Sequence, residues 1–194
     1  MDVAALVPLS LSDHDGHVAA VVFVPGCNFR CPFCHNADLV LPERAAGGPR
    51  VPVDEVLEEL RDRRDFLDSV VVSGGEPTLQ PGLREFLAAV RAMGLRVKLD
   101  TNGSQPNVLR DLFEGKLVDY VAMDIKAPSA RYSEFAGVRV DLVRIEESIR
   151  LIRSTAPDYE FRTTVAPGLV AEDLRAIADW ISGAKRYFLQ PFRV

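Results

Sequence analysis

All three cysteines of this 194-residue chain lie within eight residues, Cys27 to Cys34, in the stretch GCNFRCPFCHN. Three thiols spaced as CxxxCxxC on one loop can share a metal ion or an iron–sulfur cluster. An odd set of closely spaced cysteines is a poor framework for disulfides, so the spacing favours metal or redox chemistry. The alternative without chemistry is three small buried apolar side chains.

Two kinds of metal site compete for these thiols. A zinc site would take His35 as its fourth ligand, but His35 adjoins Cys34, whereas structural zinc sites usually bring their ligands as two spaced pairs. A [4Fe–4S] cluster is normally held by four cysteines, so three cysteines leave one iron without a protein ligand. In catalytic metal sites an open position leaves room for a substrate. The pattern therefore favours an iron–sulfur cluster with one open iron.

The rest of the chain alternates between short β-branched runs and helical segments. The six runs are AAVVFV, SVVVSG, LRVKLD, DYVAMD, YEFRTTV and RYFLQPF. Strand–helix–strand units repeated in this way predict a parallel sheet with right-handed connections. We therefore expect an α/β fold, a partial (β/α)6 barrel whose parallel sheet is surrounded by outer helices. A doubly wound open sheet is the competing architecture.

The clearest of the predicted helices covers residues 53–67, and Asp54 is its predicted N-cap. Its apolar residues fall near one face: Val56, Leu57, Leu60, Phe66 and Leu67. We expect this face to pack against the sheet.

Nearly every predicted strand ends in unusual polar residues. The stretches are PGCNFRCPFCHN, SGGEPT, DTNG, DIK, RTT with PG, and QPFR. Parallel α/β folds place their chemistry at the carboxyl ends of the strands. We therefore expect these loops to meet at one rim.

Composition excludes several classes of function. The net charge of −5 and the pI near 5.3 provide no basic surface for nucleic acid or an anionic membrane. The longest strongly apolar run, Val18 to Val24, is far shorter than a bilayer span, and the first residues lack a positively charged leader. With 47% apolar residues, we expect one domain over residues 1–194. Because there is neither a charged leader nor a long apolar run, we expect the protein in the cytoplasm.

The motifs CNFRCPFC and SGGEP resemble those of the radical S-adenosylmethionine (SAM) superfamily, whose members hold three irons with CxxxCxxC while SAM chelates the fourth. Within it, the chain most resembles activating enzymes of glycyl radical enzymes, especially the anaerobic ribonucleoside-triphosphate reductase activating protein. The stretches that carry this resemblance span almost the whole chain in order: PLSLSDHDG, GCNFRCPFCHN, SGGEPTLQ, KLDTNGSQP, DYVAMDIKAP, EFRTTVAPG and FLQPFR.

The resemblance implies the chemistry. A reduced [4Fe–4S] cluster on Cys27, Cys31 and Cys34 passes an electron to SAM, and the 5′-deoxyadenosyl radical removes a hydrogen from a glycine Cα. The partner would be a glycyl radical enzyme, and the electron donor a flavodoxin or a ferredoxin. Two other functions stay open: a radical SAM enzyme acting on a small molecule, like the deazapurine-forming carboxyguanine synthases, and a non-catalytic zinc or iron–sulfur module.

The resemblance also implies which residues bind SAM. Gly74, Gly75 and Glu76 would hold its ammonium group, although a tight turn alone explains the glycines. Phe33 takes the place of an aromatic residue near the adenine, or packs in the core. His35 and Asn36 would flank the same pocket, unless His35 is an ordinary loop residue.

The acids and bases at the strand ends complete the set implied by the resemblance. Asp100, Thr101 and Asp124 would bind SAM or a monovalent cation beside it, with an Asx turn and a cap as structural alternatives. Lys126 and Arg162 could meet the SAM carboxylate or form exposed salt bridges. Arg193 follows LQPF, where related activases often place a histidine that contacts SAM.

One departure from the family pattern stands out. The chain reads DHDGHV where these activases usually have Asp-Gly-Pro-Gly or Asp-Tyr-Pro-Gly, which leaves the course of residues 13–17 undecided. With no fourth cysteine, no auxiliary cluster is expected.

The cysteine pattern makes a direct prediction. Anaerobically reconstituted protein is expected to bind about four irons per chain and to show a low-temperature spin signal on reduction, altered by SAM. Cys31→Ala is expected to lose both the iron and the signal. Uptake of one zinc per chain without iron would contradict the iron–sulfur interpretation.

Overall fold

The structure, a computed structural model, describes residues 1–41, 47–48 and 50–192. Over these residues seven strands form one sheet, in the order β1 to β7. The strands are β1 Ala5–Ser10, β2 Ala19–Val24, β3 Ser69–Gly74, β4 Arg96–Thr101, β5 Tyr120–Asp124, β6 Asp158–Val165 and β7 Tyr187–Pro191. β1 pairs antiparallel with β2, and all later neighbours are parallel. The six predicted strands are confirmed as β2 to β7.

Helices follow each parallel strand from β2 to β6. They are α1 Ala37–Val40, α2 Val53–Arg63, α3 Leu83–Ala92, α4 Pro106–Glu114, α5 Tyr132–Ala136, α6 Leu142–Thr155 and α7 Ala171–Trp180. Short 3-10 turns cover Pro77–Leu79 and Ser129–Arg131. Among the helices described, none is both long and apolar enough to cross a bilayer.

The strand order decides between the two architectures expected from the sequence. A doubly wound sheet reverses its order at a switch point, whereas here each parallel strand lies beside the previous one in the chain. Sequential parallel strands with outer helices are the arrangement of a barrel segment. The chain is therefore an α/β protein with the topology of a partial barrel, and β1 is an additional antiparallel edge strand.

The two faces of the sheet have opposite chemistry because side chains alternate along a strand. On the helix side, one hydrophobic core includes Val22, Val72, Leu99, Val121 and Phe161. The opposite face, here called the inner face, carries charged side chains of β4 to β6: Lys98, Asp100, Asp124, Glu160 and Arg162. The helices thus bury the apolar side. The inner face is charged over β4 to β6, whereas over β2 and β3 it carries a small apolar cluster of Ala19, Val21 and Val71.

Residues 13–17 cover the inner face near the amino ends of the strands. His14 is buried, with its Nδ1 2.9 Å from Ser69 Oγ. Lys98 Nζ donates to the Asp13 carbonyl at 2.5 Å, and Arg96 donates to His17 Nε2 at 2.9 Å. Burial, with His17 and Lys98 nearby, lowers the pKa of His14 to about 4, so this ring is neutral. The stretch that departs from the family pattern therefore closes one end of the partial barrel.

The first long helix is shorter than predicted. It ends at Arg63, and its N-cap is Pro52 rather than Asp54. Phe66, predicted on the apolar face, lies in the turn after the helix and is 77% exposed. The 3.6-residue pattern could not show where the helix stops, because the turn residues continue the same apolar spacing by coincidence.

The helix end separates two residues that the sequence pattern treats alike. Leu60 is 1% exposed, so Leu60→Ala is expected to lower the free energy of unfolding by about 2–5 kcal/mol. Phe66→Ala is expected to change it by no more than about 0.5 kcal/mol. Urea unfolding followed by circular dichroism measures both. Equal losses would show that the helix continues through Phe66.

Candidate active site

One cavity at the carboxyl ends of the strands brings together fourteen of the fifteen residues singled out in the sequence. These are Cys27, Cys31, Phe33, Cys34, His35, Asn36, Gly74, Gly75, Glu76, Asp100, Thr101, Asp124, Lys126 and Arg162. Arg193 lies outside the described residues. The loops after β2 to β6 therefore meet as the parallel sheet requires.

The three cysteines sit on the loop that leaves β2, and each is half-buried with a free thiol. Phe29 N–H donates to Cys27 Sγ at 3.3 Å, and Cys34 N–H donates to the Cys31 carbonyl at 3.1 Å. Arg30 stabilises the loop through two hydrogen bonds. Its backbone N–H donates to Ala136 O at 2.8 Å, and its guanidinium donates to Cys27 O at 2.5 Å. The loop is thus held by its own backbone and by α5.

Burial keeps two of the three thiols protonated. Burial raises the pKa of Cys27 to about 11 and also raises that of Cys31, while Lys126 opposes the rise at both. Both thiols are therefore neutral by themselves and would release protons on binding metal. Within the described residues, no three His, Cys, Asp or Glu side chains are grouped closely enough to hold a single metal ion. The thiols share one cavity without forming a compact mononuclear site.

The SGGE turn after β3 lies directly against the start of the cysteine loop. Gly75 N–H donates to Val24 O and Glu76 N–H donates to Gly26 O, both at 2.8 Å. A Cβ on Gly75 would lie 1.9 Å from Gly26 O, and Gly74 has φ +110°. Both positions therefore require glycine, one for space and one for its backbone conformation.

Glu76 is a buried carboxylate that already accepts several hydrogen bonds. Its Oε1 accepts from Thr101 Oγ1 at 2.8 Å and from both the N–H and the hydroxyl of Thr78, and its Oε2 accepts from Asn102 N–H at 2.7 Å. Burial raises the pKa of Glu76, and these donors oppose the rise. The carboxylate thus joins the β3 turn to the end of β4, with little accepting capacity left for a ligand.

A cluster of charges lies beside the turn on the inner face. Arg162 Nε donates to Asp124 Oδ1 at 2.9 Å, and its guanidinium reaches Asp100 Oδ2 at 3.4 Å and Glu160 Oε1 at 3.9 Å. Lys126 Nζ donates to Asp124 Oδ2 at 3.0 Å. The two cations that could meet a ligand carboxylate are therefore already paired with carboxylates of the chain.

One buried carboxylate oxygen of this cluster accepts no hydrogen bond from the described residues. Asp100 Oδ2 accepts from Ser73 Oγ at 3.0 Å, but Asp100 Oδ1 is buried and has no hydrogen-bond partner among the described residues. A buried carboxylate oxygen without a donor is costly. Lys98 Nζ lies 3.9 Å from this oxygen, an ion pair without a hydrogen bond, and Asp100 also lines the cavity.

Phe33, His35 and Asn36, which flank Cys34, line the cavity and also contact neighbouring residues. Phe33 is buried against Phe135, with ring centroids 6.1 Å apart, and also lines the cavity. The His35 ring stacks on Phe192 at 6.1 Å, and Asn36 Nδ2 donates to Gly74 O at 3.2 Å. Phe33 therefore both packs against Phe135 and lines the cavity.

Several lining residues were missed from the sequence: Phe29, Val40, Ser73, Asn102, Thr164 and Gln190. Thr164 could have been found, because it lies two residues from Arg162 and so shares its face of the strand. No sequence signal marked Gln190, whose place follows from the pairing of β7 with β6.

Comparison with known proteins agrees with this geometry. Residues 21–181 match the model of the Radical SAM superfamily. The chain belongs to the radical SAM superfamily. Membership makes this radical SAM protein an enzyme and implies a [4Fe–4S] cluster and SAM; the resemblance inferred from the motifs is confirmed.

Individual relatives of this radical SAM enzyme carry two kinds of name. A "putative glycyl-radical enzyme activating enzyme" of Methanocaldococcus jannaschii is 36% identical over 98% of this chain and 79% of its own length. A 7-carboxy-7-deazaguanine synthase of Methanopyrus kandleri is 36% identical, over 59% of this chain and 51% of its own. The pyruvate formate-lyase-activating enzyme of Clostridium pasteurianum is 33% identical, over 61% and 49%.

Solved structures confirm the fold. QueE from Escherichia coli superposes with a TM-score of 0.61 at 16% identity, covering 98% of this chain and 83% of that one. SuiB from Streptococcus suis, bound to its precursor peptide SuiA, gives 0.70 at 17% identity, with 89% and 38% covered.

The charge cluster predicts a pH dependence of stability. Burial would raise the pKa of Asp124, but Arg162 and Lys126 outweigh it and hold the pKa at about 2. Because the folded pKa lies below the usual value, the ionised carboxylate stabilises the fold above about pH 4, and this contribution disappears as the pH falls through about 2.

Asp124→Asn removes that titration. We expect it to lower the free energy of unfolding at pH 7 by about 2 kcal/mol and to flatten its decrease between about pH 4 and pH 2. Urea titrations across this range measure both. Glu172→Gln, at the exposed pair with Arg175, is the control and is expected to change neither. An unchanged acid slope in Asp124→Asn would disprove the coupling.

Proposed function

We propose that this enzyme activates a glycyl radical enzyme, with anaerobic ribonucleotide reductase as the partner. The observation that carries the proposal is the single cavity in which the CxxxCxxC thiols, the SGGE turn and the charge cluster meet. The similarity to a protein named as an activating enzyme over 98% of this chain supports it. We propose one radical SAM domain over residues 1–194, acting in the cytoplasm under anaerobic conditions.

The donor set fits the implied cluster. Cys27, Cys31 and Cys34 would be its ligands, and the cluster when bound supplies an electron for reductive cleavage of SAM. Lys126 contributes positive charge beside these ligands, since it opposes the rise that burial causes in the pKa of Cys27 and Cys31. The chain's part is to orient SAM and to keep the cavity dry.

The residues around the open Asp100 oxygen would orient SAM. Asp100 Oδ1 can accept from the SAM ammonium group or bind a monovalent cation, with Thr101 and Asp124 beside it. Arg162 and Lys126 would meet the SAM carboxylate with those N–H groups that Asp124 does not use. His35, Asn36 and Phe33 would line the adenosine end, and we propose that Gly74, Gly75 and Glu76 shape the ammonium site mainly through backbone.

A second cavity would admit the partner's glycine loop. It shares Asp100, Arg162 and Gln190 with the SAM cavity and extends to β7, where Phe188 is 42% exposed and Leu189 is 50% exposed. An extended loop entering at this edge could bring its glycine within roughly 3–3.5 Å of the SAM 5′ carbon. A flavodoxin or ferredoxin would supply the electron.

One observation favours a small-molecule enzyme as the second candidate. The second cavity is polar, lined by Lys98, Tyr120 and Glu160, and Tyr120 donates to Glu160 at 2.6 Å. Such groups could bind a purine precursor, as the similarity to a deazaguanine synthase suggests. That similarity covers 59% of this chain, against 98% for the activating-enzyme relative, so we favour the activase.

Isotope transfer tests the choice. With reconstituted enzyme, dithionite and SAM, a peptide copying the glycine loop of the reductase, deuterated at the glycine Cα, is expected to place deuterium in 5′-deoxyadenosine. Replacing this glycine by alanine adds a methyl group at the point of attack, so transfer is expected to fall close to background. Deuterium transfer from a purine precursor, with none from the peptide or the whole reductase, would overturn the proposal.

A further inference from the structure

A groove lies on the outer side of the cysteine loop, between that loop and the start of α6. It is lined by Asn28 and Phe29 of the cysteine loop, Ser104 after β4, and Arg139, Val140 and Arg144 near the α6 N-terminus. Phe29 also lines the SAM cavity, so this one side chain separates the two spaces. We call this surface the outer groove.

Hydrogen bonds connect the outer groove to a predicted cluster ligand. Phe29 N–H donates to Cys27 Sγ at 3.3 Å, and Asn102 Nδ2 lies 3.7 Å from the same sulfur. Asn102 Nδ2 also donates to Asn28 Oδ1, and Asn28 Nδ2 donates to Ser104 Oγ, both at 2.9 Å. Residues that line the groove are therefore hydrogen-bonded to Cys27 either directly, through Phe29, or through Asn102.

The outer groove is basic, although the whole chain has a net charge of −5. Arg139 is exposed, and none of the described carboxylates forms an ion pair with it. Arg144 is 54% exposed at its side chain and pairs with Asp141 only at 3.7 Å. Among the described residues that line the groove, two arginines thus stand against the single carboxylate of Asp141.

An apolar patch adjoins the groove at the start of α6. Val143 is 68% exposed, and Val138 and Val140 are partly buried against the core. A small apolar centre with a charged rim is typical of protein interfaces, and redox encounters bury little area. Charge complementarity at such a rim raises the association rate of an oppositely charged partner.

We propose that the outer groove is the docking surface for a small acidic protein that carries one electron at an exposed prosthetic group. The inference rests on the proposed function, since only a cluster on Cys27, Cys31 and Cys34 needs this electron. The reduced carrier loses one electron and the cluster gains it, with no bond made or broken in the protein. The groove shares only Phe29 with the SAM cavity and nothing with the second cavity, so this carrier and the glycine loop need not compete.

Charge reversal tests the surface. The variant Arg139→Glu with Arg144→Glu changes two exposed side chains, and a glutamate near the α6 N-terminus does not oppose the helix dipole. The control, Arg64→Glu with Arg175→Glu, makes the same change at side chains 61% and 73% exposed and outside the groove. Thermal unfolding checks that both variants remain folded.

Binding is measured first on cluster-free protein. Calorimetry with an oxidised acidic ferredoxin at low salt is expected to show a weakening on the order of tenfold in the groove variant, no change in the control, and loss of the difference at high salt. Equal affinity of both variants for the ferredoxin would overturn the proposal.

Cluster reduction separates this inference from the proposed function. After reconstitution, reduced ferredoxin is expected to reduce the cluster of the groove variant on the order of ten times more slowly than that of the control. Dithionite is expected to support equal SAM cleavage in both. Slower reduction by dithionite as well would show a damaged cluster site and count against a docking role. Normal SAM cleavage without hydrogen transfer from the partner's glycine would reject the proposed activase function and leave the docking surface standing.

Discussion

The contact between Gly75 and Gly26 is the constraint on which the active site depends. Two backbone hydrogen bonds of 2.8 Å, from Gly75 and Glu76, join the turn after β3 to the end of β2 and the start of the cysteine loop. No side chain fits between them, since even a Cβ would come within 1.9 Å of Gly26 O. The parallel pairing of Val24 with Gly74 places the two loops side by side. Backbone contacts therefore place the cysteine loop directly against the SGGE turn.

Glu76 extends this constraint to the next strand. By accepting from Thr101 and Asn102, its buried carboxylate fixes the end of β4, and Asn102 in turn reaches Cys27 Sγ. A carboxylate enclosed by donors is rigid, because any movement leaves a buried charge unsatisfied. The residue expected to touch SAM thus contributes mainly by holding three strand ends in register. Such preorganisation keeps a site within the small tolerances that radical chemistry demands.

The charges of the inner face satisfy one another before any ligand is bound. Arg162 and Asp124 are paired in register on neighbouring strands, and Arg162 also approaches Asp100 and Glu160. This arrangement solves the problem of burying several ions in one place, since each has an opposite charge nearby. Among the described residues, Asp100 Oδ1 is a buried oxygen of this network without a hydrogen bond, and Lys98 Nζ lies 3.9 Å from it.

The sequence by itself determined the parallel architecture, the rim of polar loops and fourteen of the twenty described residues that line the cavity. It could do so because strand and helix periods are local, and because parallel strands bring their carboxyl ends to one edge whatever their exact register. Local pattern did not reveal β1, whose exposed residues and Pro8 give a weak strand signal, nor the end of α2 before Phe66. Only the tertiary structure decided that Arg162 is shared among three carboxylates, that residues 13–17 close the inner face, and that Phe29 separates two cavities. These are pairings between residues far apart in the chain, and they depend on strand register and on how the sheet curves, which no short stretch of sequence encodes.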